Sequence, residues 1–225
     1  MNRRFVALLA LTVTLVPVLA LAQTQWAEGR NYFTITPALR TSVPPGKVEV
    51  TEVFSYGCPH CSEFQPVAAH LKAALPPNAV FNLVPASFSA AEDWPMFQRA
   101  YVTAELLGIA ERTHQAIFDA IWKSGELAVL DSQTNRLKSP LPSIQDAAQV
   151  YNKLTGVPIE KFLAVSQSFA VEVRMKAADA YLLHGLIDST PTIVVNGKYR
   201  LTPESAGGSD QALQLTKFLV SKESH

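Results

Sequence analysis

Cys58 and Cys61 are the only cysteines in the sequence, and they stand where one local pattern gives way to another. Before them runs Lys47-Val48-Glu49-Val50-Thr51-Glu52-Val53-Phe54-Ser55-Tyr56, rich in β-branched and aromatic residues. That run predicts a strand, and Val48, Val50 and Phe54 predict a buried one. Gly57 ends it. After the cysteines, Phe64, Val67, Ala68, Leu71 and Leu75 recur at helical spacing. A helix therefore opens at the cysteines, with Pro59 suited to its first turn and Pro66 expected to kink it. Pro76-Pro77-Asn78 stops it, and residues 79 to 88 give a second strand. Parallel pairing of the two strands through this helix would make a right-handed βαβ unit.

A CxxC at such a junction admits four chemistries. A structural disulfide would close a loop of four residues; that restrains the unfolded chain by only roughly 2 kcal/mol and is a poor staple for a chain with an ample core. Half a zinc site would need two more ligands, and His70, His114, His184 and His225 show no ligand spacing. Haem attachment needs His directly after the second cysteine, where this chain has Ser62. A redox pair requires a strand–CxxC–helix context, which is what the flanking patterns predict.

The chemistry of a redox pair suits that context. The thiolate, not the thiol, attacks or leaves in disulfide exchange. Cys58 sits where a helix begins, and the unsatisfied N–H groups and positive dipole end there favour a negative sulfur. Such cysteines have pKa values lowered from about 8.5 to between about 3.5 and 7.5. That stabilises the reduced form and makes the disulfide a strong oxidant. Cys61, one helical turn on, is expected to be more buried and less reactive. His60 is either a source of positive charge near the sulfur or an exposed turn residue.

Elsewhere, a short alternating piece at Tyr32–Thr36 reads as an edge strand. From residue 92 the texture turns helical. Asp93 is expected to cap a helix carrying Trp94, Phe97, Tyr101, Ala104 and Leu107 on one face, stopped by Gly108. Further helices are predicted near 110–123, up to Leu154, after Pro158, and over 168–184, the last closed by Gly185. Thr192–Val195 and Lys198–Leu201 flank Asn196-Gly197, a strong hairpin signal, and a terminal helix covers 209–221. One set of β elements is thus interrupted by a helical insertion. The chain is 48% apolar and 17% charged, with 19 basic against 19 acidic residues. That is too apolar for disorder and lacks the basic excess of a nucleic-acid binder.

Residues 1–22, MNRRFVALLALTVTLVPVLALA, have a basic start at Arg3 and Arg4, an apolar run, and small residues at Ala20 and Ala22. This predicts a signal peptide cleaved after Ala22 rather than a membrane anchor, and an exported protein. Its loss takes two arginines and leaves a slight acidic excess. Exported cysteines tend to be oxidised.

The sequence resembles the DsbA family of periplasmic disulfide oxidoreductases, within the thioredoxin superfamily. The resemblance is carried by Phe54-Ser55-Tyr56-Gly57-Cys58-Pro59-His60-Cys61, Pro66, Thr190-Pro191-Thr192 ahead of the hairpin, and Glu28-Gly29 followed by Tyr32. It implies an α/β, thioredoxin-like fold with an inserted all-helical domain: residues 23–91 and 166–225 form the thioredoxin-like part and 92–165 the insertion. Cys58 would be the exposed nucleophile that forms a mixed disulfide with substrate, and Cys61 its buried partner. Pro191 would be a cis-proline facing the pair, with Thr190 binding an extended substrate. Glu52 would be a buried carboxylate beneath the disulfide that relays protons or tunes the cysteines; alternatively it is an outward-facing strand residue.

The implied function is donation of the Cys58–Cys61 disulfide to unfolded exported proteins with free thiols, by a monomer that a DsbB-like membrane quinone reductase reoxidises. No cofactor, metal or nucleic acid is implied beyond the disulfide itself. Two departures stand out. The strand Val80-Phe81-Asn82-Leu83-Val84 lacks a lysine that some members carry at about Leu83, so a buried Glu52 is expected to be protonated. Thr190 replaces the Val of the best-known oxidases and also occurs in isomerases. An isomerase or reductase of the same superfamily is the nearest rival, although only about 25 residues precede the first strand of the active-site domain, too few for a dimerisation module. From another class, the rival is a non-catalytic exported binding protein with a structural CxxC.

Overall fold

The computed structural model describes residues 25–224; the segment read as a signal peptide lies outside the described residues. Strand β2 (Val48–Phe54) is the axis of a five-stranded sheet, and all of its residues are buried. On one side it pairs in parallel with β3 (Ala79–Pro85), Val48 opposite Ala79 and Glu52 opposite Leu83. On the other it pairs antiparallel with β4 (Thr192–Val195), Glu52 opposite Ile193. β4 turns back into β5 (Tyr199–Leu201), and β5 pairs with the short edge strand β1 (Phe33–Thr34). The order is β1-β5-β4-β2-β3. The hairpin turn uses Asn196 (φ 52°) and Gly197 (φ 66°), the pair of left-handed residues that a tight two-residue turn needs. A Cβ on Gly197 would also lie 2.2 Å from the Leu39 carbonyl oxygen.

The helix α1 (Pro59–Ala74) links β2 to β3, forming the expected βαβ unit. With α8 (Ser209–Glu223) it covers one face of the sheet, where Phe64, Ala68, Leu71, Leu215 and Leu219 pack on Val50, Ile193 and Val195. A second core joins Val53, Phe54 and Tyr56 to a helical block. That block comprises α2 (Trp94–Leu106), α3 (Ala110–Trp122), α4 (Ile144–Thr155), α5 (Ile159–Ser166) and α6 (Phe169–His184). Phe97, Phe118, Tyr151 and Phe162 are buried there, and each such side chain contributes roughly 1.5–3 kcal/mol. The one-turn helix α7 (Pro203–Ala206) precedes α8.

Three local expectations need correction. β3 stops at Pro85, not residue 88, because β2 ends at Phe54 directly opposite; a last bond from Ala86 N to Phe54 O at 2.7 Å closes the ladder. Asp93 precedes α2 with φ 60° and no capping bond from its side chain. After α6 the left-handed residue is Leu186 (φ 49°), while Gly185 is right-handed. Gly185 is required for space instead: a Cβ there would lie 2.9 Å from Ile187 Cδ1.

Candidate active site

The chain leaves β2 at Phe54, turns through Ser55-Tyr56-Gly57 and enters α1 at Pro59, so Cys58 is the residue that caps the helix. Its backbone is extended (φ −92°, ψ 117°), its N–H donates to Ser55 O at 3.1 Å, and its carbonyl accepts from Ser62 N at 3.2 Å. Both cysteines are free thiols, so this is the dithiol form.

Two indoles hold this turn. Trp94, from the start of α2, lies against Gly57 so closely that a Cβ there would sit 2.6 Å from its Nε1. Trp122, from the end of α3, donates its Nε1–H to Tyr56 O at 2.9 Å. The turn is consequently tucked in, and Cys58 is 4% exposed rather than open as expected; Cys61 is not exposed at all. Neither indole's role has a signature in the sequence, because both contacts join segments far apart in the chain.

Across from the cysteines, the Thr190–Pro191 bond is cis, the isomer the resemblance implies. The Cys58 Sγ–H donates to the Thr190 carbonyl at 3.4 Å. Pro191 is buried and Thr190 half-buried. His60 is exposed, and its influence on Cys58 comes through its backbone N–H.

The two thiols are driven apart electrostatically. Cys58 is lowered to about 6, first by a hydrogen bond from the Cys61 thiol. Partial burial opposes this, while the Thr190 hydroxyl and the N–H groups of Cys61 and His60 reinforce it. Cys61 is pushed well above its ordinary value by burial, then by the neighbouring Cys58 and Glu52. At neutral pH the pair therefore holds one thiolate, on Cys58, and one thiol, on Cys61.

Glu52 is fully buried, not outward-facing. It shares a sheet face with Leu83, directly opposite on β3, and neither of its carboxyl oxygens has a hydrogen-bond partner. Burial, and then the charge on Cys58, push its carboxyl up to about 8, so it is protonated at neutral pH. Glu52 lines a cavity of about 760 Å³ together with Gln65, Lys72, Leu83, Tyr101 and His114. The imidazole of His114 is hydrogen-bonded through Nδ1 to the Tyr56 hydroxyl at 3.1 Å, and burial pulls it down to about 4. In the sequence His114 gives no hint of this position. Among the described residues no cluster of three or more potential metal ligands occurs.

A sheet of this topology with a CxxC at the head of its first long helix and a Thr-Pro loop facing the sulfurs is the frame of a thioredoxin-fold oxidoreductase, one that exchanges dithiol for disulfide. No family model matches the chain. It is 36% identical over 200 residues to the thiol:disulfide interchange protein DsbA of Azotobacter vinelandii, spanning 87% of this chain and 83% of that one. The crystal structure of Pseudomonas aeruginosa DsbA superposes with a TM-score of 0.75 at 33% identity, covering 88% of this chain and 94% of the other. That of the oxidoreductase DsbA from Xylella fastidiosa gives 0.75 at 36% identity, covering 87% and 96%. The chain belongs to the DsbA family of thiol:disulfide oxidoreductases.

Proposed function

We propose that the protein works as an oxidase: its Cys58–Cys61 disulfide is donated to folding exported proteins. The observation that carries this is the opposite displacement of the two thiols, with Cys58 lowered to about 6 and Cys61 raised. A fold that favours a thiolate at Cys58 favours its own reduced form, and so gives its disulfide away. A substrate thiolate attacks Cys58 Sγ, breaking the Cys58–Cys61 bond. Glu52 passes its proton to the departing Cys61 sulfur and is reprotonated from solvent. A second substrate thiolate then attacks the mixed disulfide and releases Cys58 as a thiolate. The net change is one disulfide made in the substrate, two enzyme sulfurs reduced, and one proton taken up by Cys61.

In this reading Pro59 sets the first turn of the helix so that the N–H groups of His60 and Cys61 face Cys58, and Thr190 and Pro191 form the edge along which an extended substrate lies. As a family member the protein acts on substrate proteins, and the family points to the periplasm. Export follows cleavage after Ala22, and reoxidation falls to a DsbB-like membrane quinone reductase acting on the monomer. The thioredoxin-like part comprises 23–91 and 166–225, with 92–165 inserted. Supporting that division, every strand of the sheet comes from outside 92–165.

The test uses a reduced, unfolded substrate protein. Cys58→Ala abolishes its oxidation, and Cys61→Ala accumulates a covalent adduct on Cys58, seen on a nonreducing gel. Retained turnover in Cys58→Ala, or no adduct in Cys61→Ala, overturns the assignment.

A further inference from the structure

Cys61 must gain a proton when the enzyme is reduced and lose it on reoxidation, yet it is completely covered, and Cys58 above it is nearly so. A proton therefore needs a way through the protein. Three side chains lining the 760 Å³ cavity carry buried polar atoms without partners: Glu52, His114 and Tyr181. Tyr181 lies near Thr51, which alternation places on the other face of β2 from Glu52. Glu52 and His114 remain. Their bare Oε1, Oε2 and Nε2 would each cost about 1–3 kcal/mol if left dry, and a polar cavity of this size has room for waters that satisfy them. The cavity opens between α1 and α3, where its lining includes the exposed Lys72–Glu111 ion pair.

We propose that His114 is a positioning residue for proton transfer at Cys61: with Glu52 it holds a file of water that leads from the buried thiol to solvent between α1 and α3, away from the catalytic surface. The inference rests on the relay role given to Glu52 above. When Cys61 leaves as a thiolate, the Glu52 carboxyl gives up its proton and becomes a carboxylate. One solvent proton, entering along the file, restores it. On reoxidation the same proton returns. The Tyr56 hydroxyl fixes the imidazole through Nδ1, which leaves Nε2 unpartnered at the cavity wall, where it can hydrogen-bond to water. The imidazole stays neutral throughout.

Few charged or titratable groups face this pair. His114 meets Lys72 from α1, Glu111 from its own helix, and the phenols of Tyr56 and Tyr101. Glu52 meets Cys58, Cys61 and, from α2, Tyr101.

The experiment follows reduction of the oxidised protein by a reduced two-cysteine peptide in stopped flow, in H2O and D2O, between pH 5 and 9. His114→Phe removes the hold on water and slows the proton-coupled step roughly ten-fold, with a larger solvent deuterium effect. His114→Gln keeps a donor in the cavity and restores the rate. A simple loss of packing would not separate the two variants in this way. Should His114→Phe fold poorly, Ala69→Trp, which obstructs the cavity from α1 with His114 intact, must slow the same step. A wild-type rate and isotope effect in His114→Phe or Ala69→Trp overturns the proposal, as does a His114→Gln variant as slow as His114→Phe. Glu52→Gln separates the two layers. If it leaves the pH profile and isotope effect unchanged, the Glu52 relay itself is wrong; if it alters them while His114→Phe does not, only the role of His114 falls.

Discussion

Glu52 and Leu83 stand side by side across the β2–β3 pairing, so the one carboxyl buried beneath the cysteines faces a hydrocarbon where a cation would have kept it ionised. The unfolded chain releases this proton near 4.5, the folded chain only near 8. A raised folded value means stability is fully present below 4.5 and is lost as pH climbs towards 8. The oxidised protein isolates the larger, burial part of this effect: its cysteines do not titrate, and without the Cys58 charge its upper limit lies below that of the dithiol form. Its unfolding free energy falls across that window by up to about 1.4 kcal/mol per pH unit. Glu52→Gln flattens the profile and is the more stable variant at pH 8. Urea titrations at a series of pH values measure both; a parallel decline in the variant would show that Glu52 is not the source.

Cys58 has the opposite sign. Its folded value is depressed to about 6, so its contribution to the reduced form is present above the ordinary thiol range and is lost as pH falls through about 6. The reduced protein is expected to melt at a higher temperature than the oxidised one at pH 8. The gap narrows between pH 7 and 5, and at pH 7 the thiolate accounts for about 1 kcal/mol after allowance for solvent screening. Paired calorimetric scans decide it. An oxidised form that melts higher at every pH is the signature of a structural staple.

Alkylation of the dithiol protein by iodoacetamide should modify one sulfur, Cys58, with a rate that rises around pH 6. Cys61, fully buried and raised by that burial, reacts only once the chain unfolds. Peptide mapping by mass spectrometry distinguishes the sites, and equal labelling at pH 7 would contradict the assigned order.

Gly57 has no room for a methyl group beneath the Trp94 indole. Gly57→Ala is expected to cost about 1–3 kcal/mol through overpacking and to loosen the turn. Combining it with Trp94→Leu recovers part of that loss, because the two positions are in contact and their effects do not add. A double-mutant cycle in urea reads the coupling; strict additivity would mean that the indole and the turn adjust independently.

Much of this architecture is legible in the sequence, and the reason is local. Period-2 and period-3.6 patterns mark β2 and α1, Pro59 sits where a helix tolerates it, and Asn196-Gly197 forces a tight reversal. The site splits along the same line. Cys58, Cys61, Thr190 and Pro191 announce themselves as short motifs. Trp94, Trp122 and His114 do not, because each acts through a contact with the turn at Tyr56-Gly57 across a long stretch of chain. The end of β3 was equally invisible, since the length of its neighbour decides it. Leu186 in the left-handed region beside a right-handed Gly185 reverses the usual rule for ending a helix, and only the crowding of Gly185 by Ile187 and Leu39 explains why.

The grip of Trp94 and Trp122 on the turn means that the reactive loop is jointly owned. Sheet and α1 supply its ends, while α2 and α3 supply its roof. Trimming the chain to a minimal sheet-and-helix scaffold, as a protein engineer would be tempted to do, would keep the motif and unroof it. Transplanting the four-residue motif into a host without two such aromatic props would meet the same difficulty.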